Sequence, residues 1–163
     1  MAQEGSESPA ELLHSGFRYA LSLTHDRARA EDLLQDAWLA VLKAKGPHTR
    51  PYLFSAVRSR FLNLYKRELL LSVVSLDELA ESEQPVSTLD ISYYLDHALL
   101  EKALNGLRSV EREALFLMTV EGYTAEEIAT FTQQPRSTVL SHVHRAKQKV
   151  RRFFATKSRE AAL

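Results

Sequence analysis

The stretch TAEEIATFTQQPRSTVLSHVHRAK, from Thr124 to Lys147, holds two apolar stripes of helical period with almost nothing between them. Ile128, Ala129 and Phe131 supply the first; Val139, Val143 and Ala146, at spacings of four and three, supply the second. Thr124, with Glu127 three residues later, forms a capping box that starts the first helix. Pro135 suits the start of the second, where its missing N–H costs nothing. Only Gln133, Gln134 and Pro135 separate the two, so the chain reverses in a tight turn and both stripes face a common core. Arg136, Ser137, Leu140, Ser141, His142, His144, Arg145, Lys147 and Lys149 then lie away from the stripe. In a helix-turn-helix, that side enters a DNA groove: small hydroxyl side chains allow close approach and bond base edges, while basic neighbours hold phosphates. The other reading of the same text is a helical hairpin that closes a bundle and touches no nucleic acid.

The remaining chain repeats the helical period. Leu12, Leu13, Phe17, Ala20, Leu21 and Leu23 mark a helix over Pro9 to Thr24. A second is expected over Arg29 to Lys45, with Leu33, Leu34, Ala37, Trp38, Val41 and Leu42 on one face and Gly46-Pro47 ending it. A third starts near Pro51 and runs towards Glu68 on Leu53, Phe54, Val57, Phe61, Leu64 and Tyr65; Leu69 to Val74 either ends it or packs separately. A fourth runs from the Ile91–Asp96 stretch to about Leu107. A fifth, capped by Ser109 and closed by Gly122, covers Val110 to Glu121, and the helix after Pro135 extends to about Thr156. Ser75 to Asp90, polar and weakly periodic around Pro85, reads as a linker. No useful strand-like alternation appears. The fold class is all-α: two small helical bundles joined by a linker.

Several function classes are disfavoured at once. With no cysteine there is no disulfide, thiolate zinc site or Cys nucleophile. Six scattered histidines, without HExxH, a phosphate-cradling Gly loop or triad spacing, argue against an enzyme, a metal, a cofactor or a small-molecule substrate. The polar start MAQEGSESPAELL is unlike a signal peptide, and no run of about 18 apolar residues suggests membrane insertion, so a cytoplasmic protein is expected. Formal net charge is zero, but it is unevenly placed. Arg50 to Glu68 holds five basic residues and one acidic; Ser75 to Glu101 holds seven acidic and no Lys or Arg; Thr124 to Arg159 holds eight basic and two acidic. Alternating blocks of this kind mark interaction surfaces more than a uniformly solvated exterior.

The run GYTAEEIATFTQQPRSTVLSHVHRAKQKVR resembles the promoter-recognition helix-turn-helix of bacterial sigma factors, in particular the short extracytoplasmic-function (ECF) group of the sigma-70 family. Gly122, Glu127, Ile128, Ala129, Pro135, Thr138, Val139, Ser141, Arg145 and Ala146 match that group's pattern in register. Upstream, RAEDLLQDAWLAVLKA (Arg29 to Ala44) resembles the family's core-polymerase-binding helix, and PYLFSAVRSRFLNLYKRE (Pro51 to Glu68) its promoter-melting helix. The three stand in the family's order and the likeness covers about Phe17 to Phe154. It implies a region 2-like domain over residues 9–72, an acidic linker over 73–93 and a region 4-like domain over 94–158.

The resemblance further implies that the chain binds core RNA polymerase and promoter DNA, with an anti-sigma factor as a third partner. Asp32, Gln35, Asp36 and Leu39 would face polymerase. The −10 element would be met by His48, Thr49 and Arg50 in the loop, and by Tyr52, Arg58, Arg60, Asn63, Lys66 and Arg67 on the helix. Melted strands need cations and flat rings there. The −35 element would be read by Arg136, Ser137, Thr138, Ser141, His142, Arg145 and Lys147. Some residues depart from the family text. Gln133 fills a turn position that is often Gly, at a cost in backbone strain. Ser137 replaces a Gly, Leu140 and His142 stand where a basic residue is usual, and Ser55 and Ser59 replace polar or basic residues of the melting helix. Those losses of charge keep a second reading open: a sigma-like adaptor that sequesters an anti-sigma factor without productive DNA binding.

Overall fold

The computed structural model describes residues 7–71 and 91–162; the linker expectation, apart from the backbone at its last three positions, and the apolar residues 72–74 lie outside the described residues. Seven helices form the described chain: α1 (Pro9–Thr24), α2 (Arg27–Lys43), α3 (Arg50–Leu71), α4 (Ile91–Asn105), α5 (Ser109–Thr119), α6 (Ala125–Thr132) and α7 (Arg136–Ala161). No strand occurs among the described residues. The chain divides into two compact units, Met1–Leu76 and Asp77–Leu163.

In the first unit α1, α2 and α3 pack pairwise against one another. Ser8 Oγ accepts the Glu11 N–H at 3.3 Å while the Glu11 carboxylate accepts the Ser8 N–H at 2.9 Å, a reciprocal cap that starts α1. His25 ends that helix in the left-handed region at φ 50°, donating its N–H to Leu21 O at 2.8 Å. Asp26 then caps α2 by accepting the Arg29 N–H at 3.0 Å. This cap starts α2 at Arg27, two residues before the expected Arg29, and the helix ends at Lys43 instead of Lys45 because Lys45 takes φ 51°. The core is Leu12, Tyr19, Ala20 and Leu23 from α1, Ala30, Leu33, Ala37 and Val41 from α2, and Leu53, Phe54 and Val57 from α3. Tyr19 and Phe54 stack with ring centroids 4.5 Å apart. Gly16 is required where α1 crosses its neighbours: a Cβ there would lie 2.7 Å from Leu53 Cδ2 and 2.8 Å from Leu34 Cδ1.

The later part of α3 differs from its expected stripe. Phe61 and Tyr65 are half-buried and stack on each other at 6.1 Å, whereas Leu64 is exposed. The open alternative at Leu69 resolves in favour of a helix end, since α3 continues to Leu71. Leu70 and Leu71 are each 87% exposed, so that end packs on nothing described.

In the second unit α7 packs on α4, α5 and α6. The core is Ala103, Leu107, Ala114, Leu117, Ile128, Val139, Val143 and Ala146. The expected Ser109 cap of α5 is not observed: Ser109 is the first helical residue, and the Glu111 carboxylate accepts the Arg108 N–H at 3.0 Å in its place. Gly122 sits at φ 73° in the turn after α5, as the closing glycine should, although the helix itself stops at Thr119. Arg112 turns back to donate Nη1–H to Leu107 O at 2.5 Å; burial lowers its pKa to about 10, which leaves it cationic at neutral pH.

Candidate nucleic-acid and polymerase interface

The helix-turn-helix is built as its text demands. Thr124 Oγ1 accepts the Glu127 N–H at 3.2 Å and the Glu127 carboxylate accepts the Thr124 N–H at 2.7 Å. Those bonds to the ionised form hold the Glu127 carboxyl below its ordinary pKa. Gln133 takes the left-handed conformation (φ 56°, ψ 39°), and the N–H groups of Gln133 and Gln134 both reach Ala129 O, the latter at 3.1 Å. The anticipated non-glycine strain is therefore present at Gln133. Pro135 lies just outside α7, its carbonyl accepting the Thr138 and Val139 N–H groups at 3.0 and 3.2 Å. In α6 the buried residues are Ile128 and Thr132; Ala129 and Phe131 are only half-buried, and Phe131 meets Tyr123 edge to face at 6.5 Å.

Along α7, Arg136, Ser137, Ser141, Arg145 and Lys147 are exposed and Thr138 is half-buried. Ser141 Oγ donates to Ser137 O at 2.9 Å. Arg136 Nε stands 3.9 Å from Glu126 Oε1 with both side chains exposed, a contact too weak to hold the guanidinium back. Leu140 is 39% exposed in the middle of this side.

His142 departs from its expected place. It is buried at 9% exposure, so its ring faces the core, not solvent. The reason is positional: 142 follows Val139 by three and precedes Ala146 by four, on the buried stripe itself. Its Nδ1 has no hydrogen-bond partner. Burial lowers its pKa, Arg108 and Arg145 lower it further, and Glu111 and Glu113 oppose the shift. A neutral, inward ring offers nothing to a groove.

Lys149, read as part of the outward side, also has another task. Its Nζ lies 2.8 Å from an oxygen of Glu111, which is 1% exposed. Burial pushes the Glu111 carboxyl up, but the Lys149 hydrogen bond, the Arg108 N–H and both cations outweigh it and keep it below its ordinary pKa. This pair ties α5 to the helix that presents Arg136 and Ser141. The sequence signal for it was a Glu at the third position of α5, three before buried Ala114.

In the first unit the expected residues fall on two surfaces. Asp32, Gln35 and Asp36 are exposed and Leu39 is 49% exposed, at spacings that share one side of α2. The opposite side holds buried Ala30, Leu33, Ala37 and Val41. Exposed Leu42 extends the outward apolar surface. On the other surface, Tyr52, Asn63 and Lys66 align along α3 by helical spacing, flanked by Arg60 and Arg67. His48 and Thr49 are exposed, and His48 packs on Trp38 with ring centroids 5.0 Å apart. Arg50 and Arg58 fall outside this alignment. Arg50 is engaged by Glu7, with Nε 2.7 Å from Oε1. Glu68, at the end of the basic block, pairs with Arg29. The structure also shows why Gly46 precedes the loop: a Cβ there would run into the Tyr52 ring. No helix among the described residues is long and apolar enough to cross a membrane.

Comparison with known proteins matches both units. Residues 12–69 match the family model for sigma-70 region 2, and residues 97–150 the one for sigma-70 region 4. The ECF RNA polymerase sigma factor SigL of Mycobacterium tuberculosis is 29% identical over 142 residues, covering 83% of this chain and 80% of the relative. SigE of Mycolicibacterium smegmatis is 28% identical over 153 residues (90% of this chain, 60% of the relative). EcfG of Rhodopseudomonas palustris is 29% identical over 140 residues (81% and 75%). In fold, the chain is similar to the sigma factor RpoE of Bartonella quintana, solved in complex with the anti-sigma factor NepR. The TM-score is 0.68 at 24% identity, over 88% of this chain and 92% of that one.

Proposed function

We infer that this chain, which belongs to the sigma-70 family, is an ECF sigma factor that binds core RNA polymerase and directs it to specific promoters. The observation that carries this reading is the pairing, in one chain and in family order, of region 2 and region 4 matches. The helix-turn-helix of the second unit supports it by presenting Arg136, Ser137, Ser141 and Arg145 outward. The chain works in the cytoplasm and adds no bond-making chemistry of its own. It supplies position and charge, and an anti-sigma factor is its natural antagonist.

Each surface has a physical task in this reading. The outward side of α2, Asp32, Gln35, Asp36 and Leu39, docks on polymerase, where desolvating an exposed leucine among polar groups favours a specific partner. Tyr52, Asn63 and Lys66, with Arg60, Arg67, His48 and Thr49, meet the melted −10 strand through ring faces and phosphate-neutralising charge. Arg50 joins them when it leaves Glu7. Arg136, Ser137, Thr138, Ser141, Arg145 and Lys147 address the −35 element. The hydroxyls let the backbone approach and the guanidiniums reach base edges or phosphates. His142 takes no contact; its role is seating α7. A sequestering adaptor is the second reading, favoured by exposed Leu140 at a position where a cation would serve DNA better.

Reconstitution with core polymerase tests this directly. The sigma reading expects co-elution with core and new run-off transcripts from pooled promoter fragments. Binding to core or to an anti-sigma factor without any new transcript would favour the adaptor.

A further inference from the structure

Helix α7 runs 26 residues, yet the region 4 match stops at residue 150 and the helix continues to Ala161. At about 1.5 Å per residue, this adds roughly 16 Å of helix beyond the matched stretch. Val150, Phe153 and Phe154 in its first part are half-buried, and the two phenylalanine rings meet edge to face at 5.5 Å.

The outward side changes character along its length. With 3.6 residues per turn, Ser141, Gln148, Arg152 and Arg159 fall on one line, at offsets of 0, 7, 11 and 18 residues. Ser137 lies beside that line and Arg151 within a quarter turn or so of it. The stripe thus begins with hydroxyls and an amide and ends with guanidiniums. Arg151, Arg152 and Arg159 are all exposed, and the acidic residue of this segment, Glu160, is taken up by Lys157 at 2.6 Å. Arg152 stands about 16 Å along the axis from Ser141, and Arg159 about 27 Å. The DNA major groove is only about 12 Å wide. With Ser141 against base edges and α7 running across the groove, Arg152 and Arg159 lie beyond its wall, on the side of the flanking phosphates.

We propose that Arg151, Arg152 and Arg159 form a second, sequence-independent anchor on the phosphate backbone flanking the −35 element. It supplies affinity that the base-reading turn lacks through Leu140 and the inward His142. The inference rests on the sigma-factor reading and adds to it a DNA contact outside the helix-turn-helix.

The test uses holoenzyme made from core polymerase and the full chain, titrated on promoter fragments that yield run-off product, from 50 to 200 mM salt. Each lost phosphate contact lowers the slope of log K against log salt by about 0.9, so the Arg151→Gln, Arg152→Gln, Arg159→Gln triple variant should lose about 2.7 from the slope. Over that salt range the wild-type affinity should therefore fall about 40-fold more than the variant's. The loss should be equal on promoters with intact and scrambled −35 elements, and the triple Arg→Lys variant should keep the wild-type slope. An unchanged slope, a loss confined to the intact −35 element, or a variant that no longer binds core would each overturn the anchor. Absence of transcript from the wild-type holoenzyme would instead sink the sigma reading, so the two failures are distinguishable.

Discussion

Lys149→Met offers a sharp test of how α7 is held. The substitution keeps the stem's bulk but removes the cation 2.8 Å from the Glu111 carboxylate, which is 1% exposed. Removing one member of a buried pair costs about 3–5 kcal/mol, because the other charge stays buried without compensation. Two features place this case at the lower end, about 3 kcal/mol: the Lys149 side chain is 40% exposed, so water reaches the vacated position, and Glu111 keeps its bond from the Arg108 N–H. For a unit of this size that is a fall in Tm of about 12–24 °C. The Glu111→Met, Lys149→Met double variant should recover part of this loss, since it strands no charge and forfeits only the α5 cap, about 1 kcal/mol. The pH dependence has a definite sign. In the wild type the Glu111 carboxyl is held below its ordinary pKa, so its stabilisation is full above about pH 4.3 and is lost as pH falls through the lower folded value. In Lys149→Met only the Arg108 N–H and charge are left to oppose burial, so the folded pKa rises and the deficit narrows from pH 7 towards pH 5. Far-UV circular dichroism follows the unfolding. The single Trp38 lies in the other unit. A loss under about 1 kcal/mol, or a double variant less stable than Lys149→Met alone, would refute the reasoning.

Three further outcomes are expected. Neutral, buried His142 has a lowered folded pKa, so its contribution is complete above about pH 6.5 and lost as pH falls below it. The drop in Tm from pH 7 to 5.5 should therefore shrink in His142→Leu, and an equal drop in both proteins contradicts this. Gly46→Ala displaces the end of the exposed Tyr52 side chain instead of compressing the core. Its Tm should stay near wild type while transcription from duplex promoters falls and recovers on a template already open at −10; a folding defect as large as a core cavity's would be inconsistent. Leu39→Ala should weaken core polymerase binding about tenfold, the scale of an interface anchor, without loss of stability, since Leu39 is already 49% exposed. Unaltered binding in a competition assay would remove Leu39 from that surface.

Much of the fold was legible because helices announce themselves by period and caps. The Thr124–Glu127 capping box, the short turn at Gln133 and the proline before α7 all appear where the text put them. What the text hid was of two kinds: local signals weaker than the apolar period, and partners distant in sequence. Asp26 was passed over as a cap, which moved the start of α2. The burial of Glu111 is not decided by local signals, because its partner Lys149 lies 38 residues away. His142 was placed outside by its polarity although its position in the period put it inside; burial followed geometry over residue type. The engagement of Arg50 by Glu7, across 43 residues, was equally out of reach of local pattern.

The most direct measurement of the central claim is transcription by the reconstituted holoenzyme from a promoter library randomised at both the −35 and −10 positions. The account predicts enrichment of one paired −35/−10 pattern by the wild type. Arg136→Ala and Arg145→Ala should relax only the upstream element and Tyr52→Ala only the downstream one. Core binding without any enriched pattern, or variants that alter both elements alike, would contradict it.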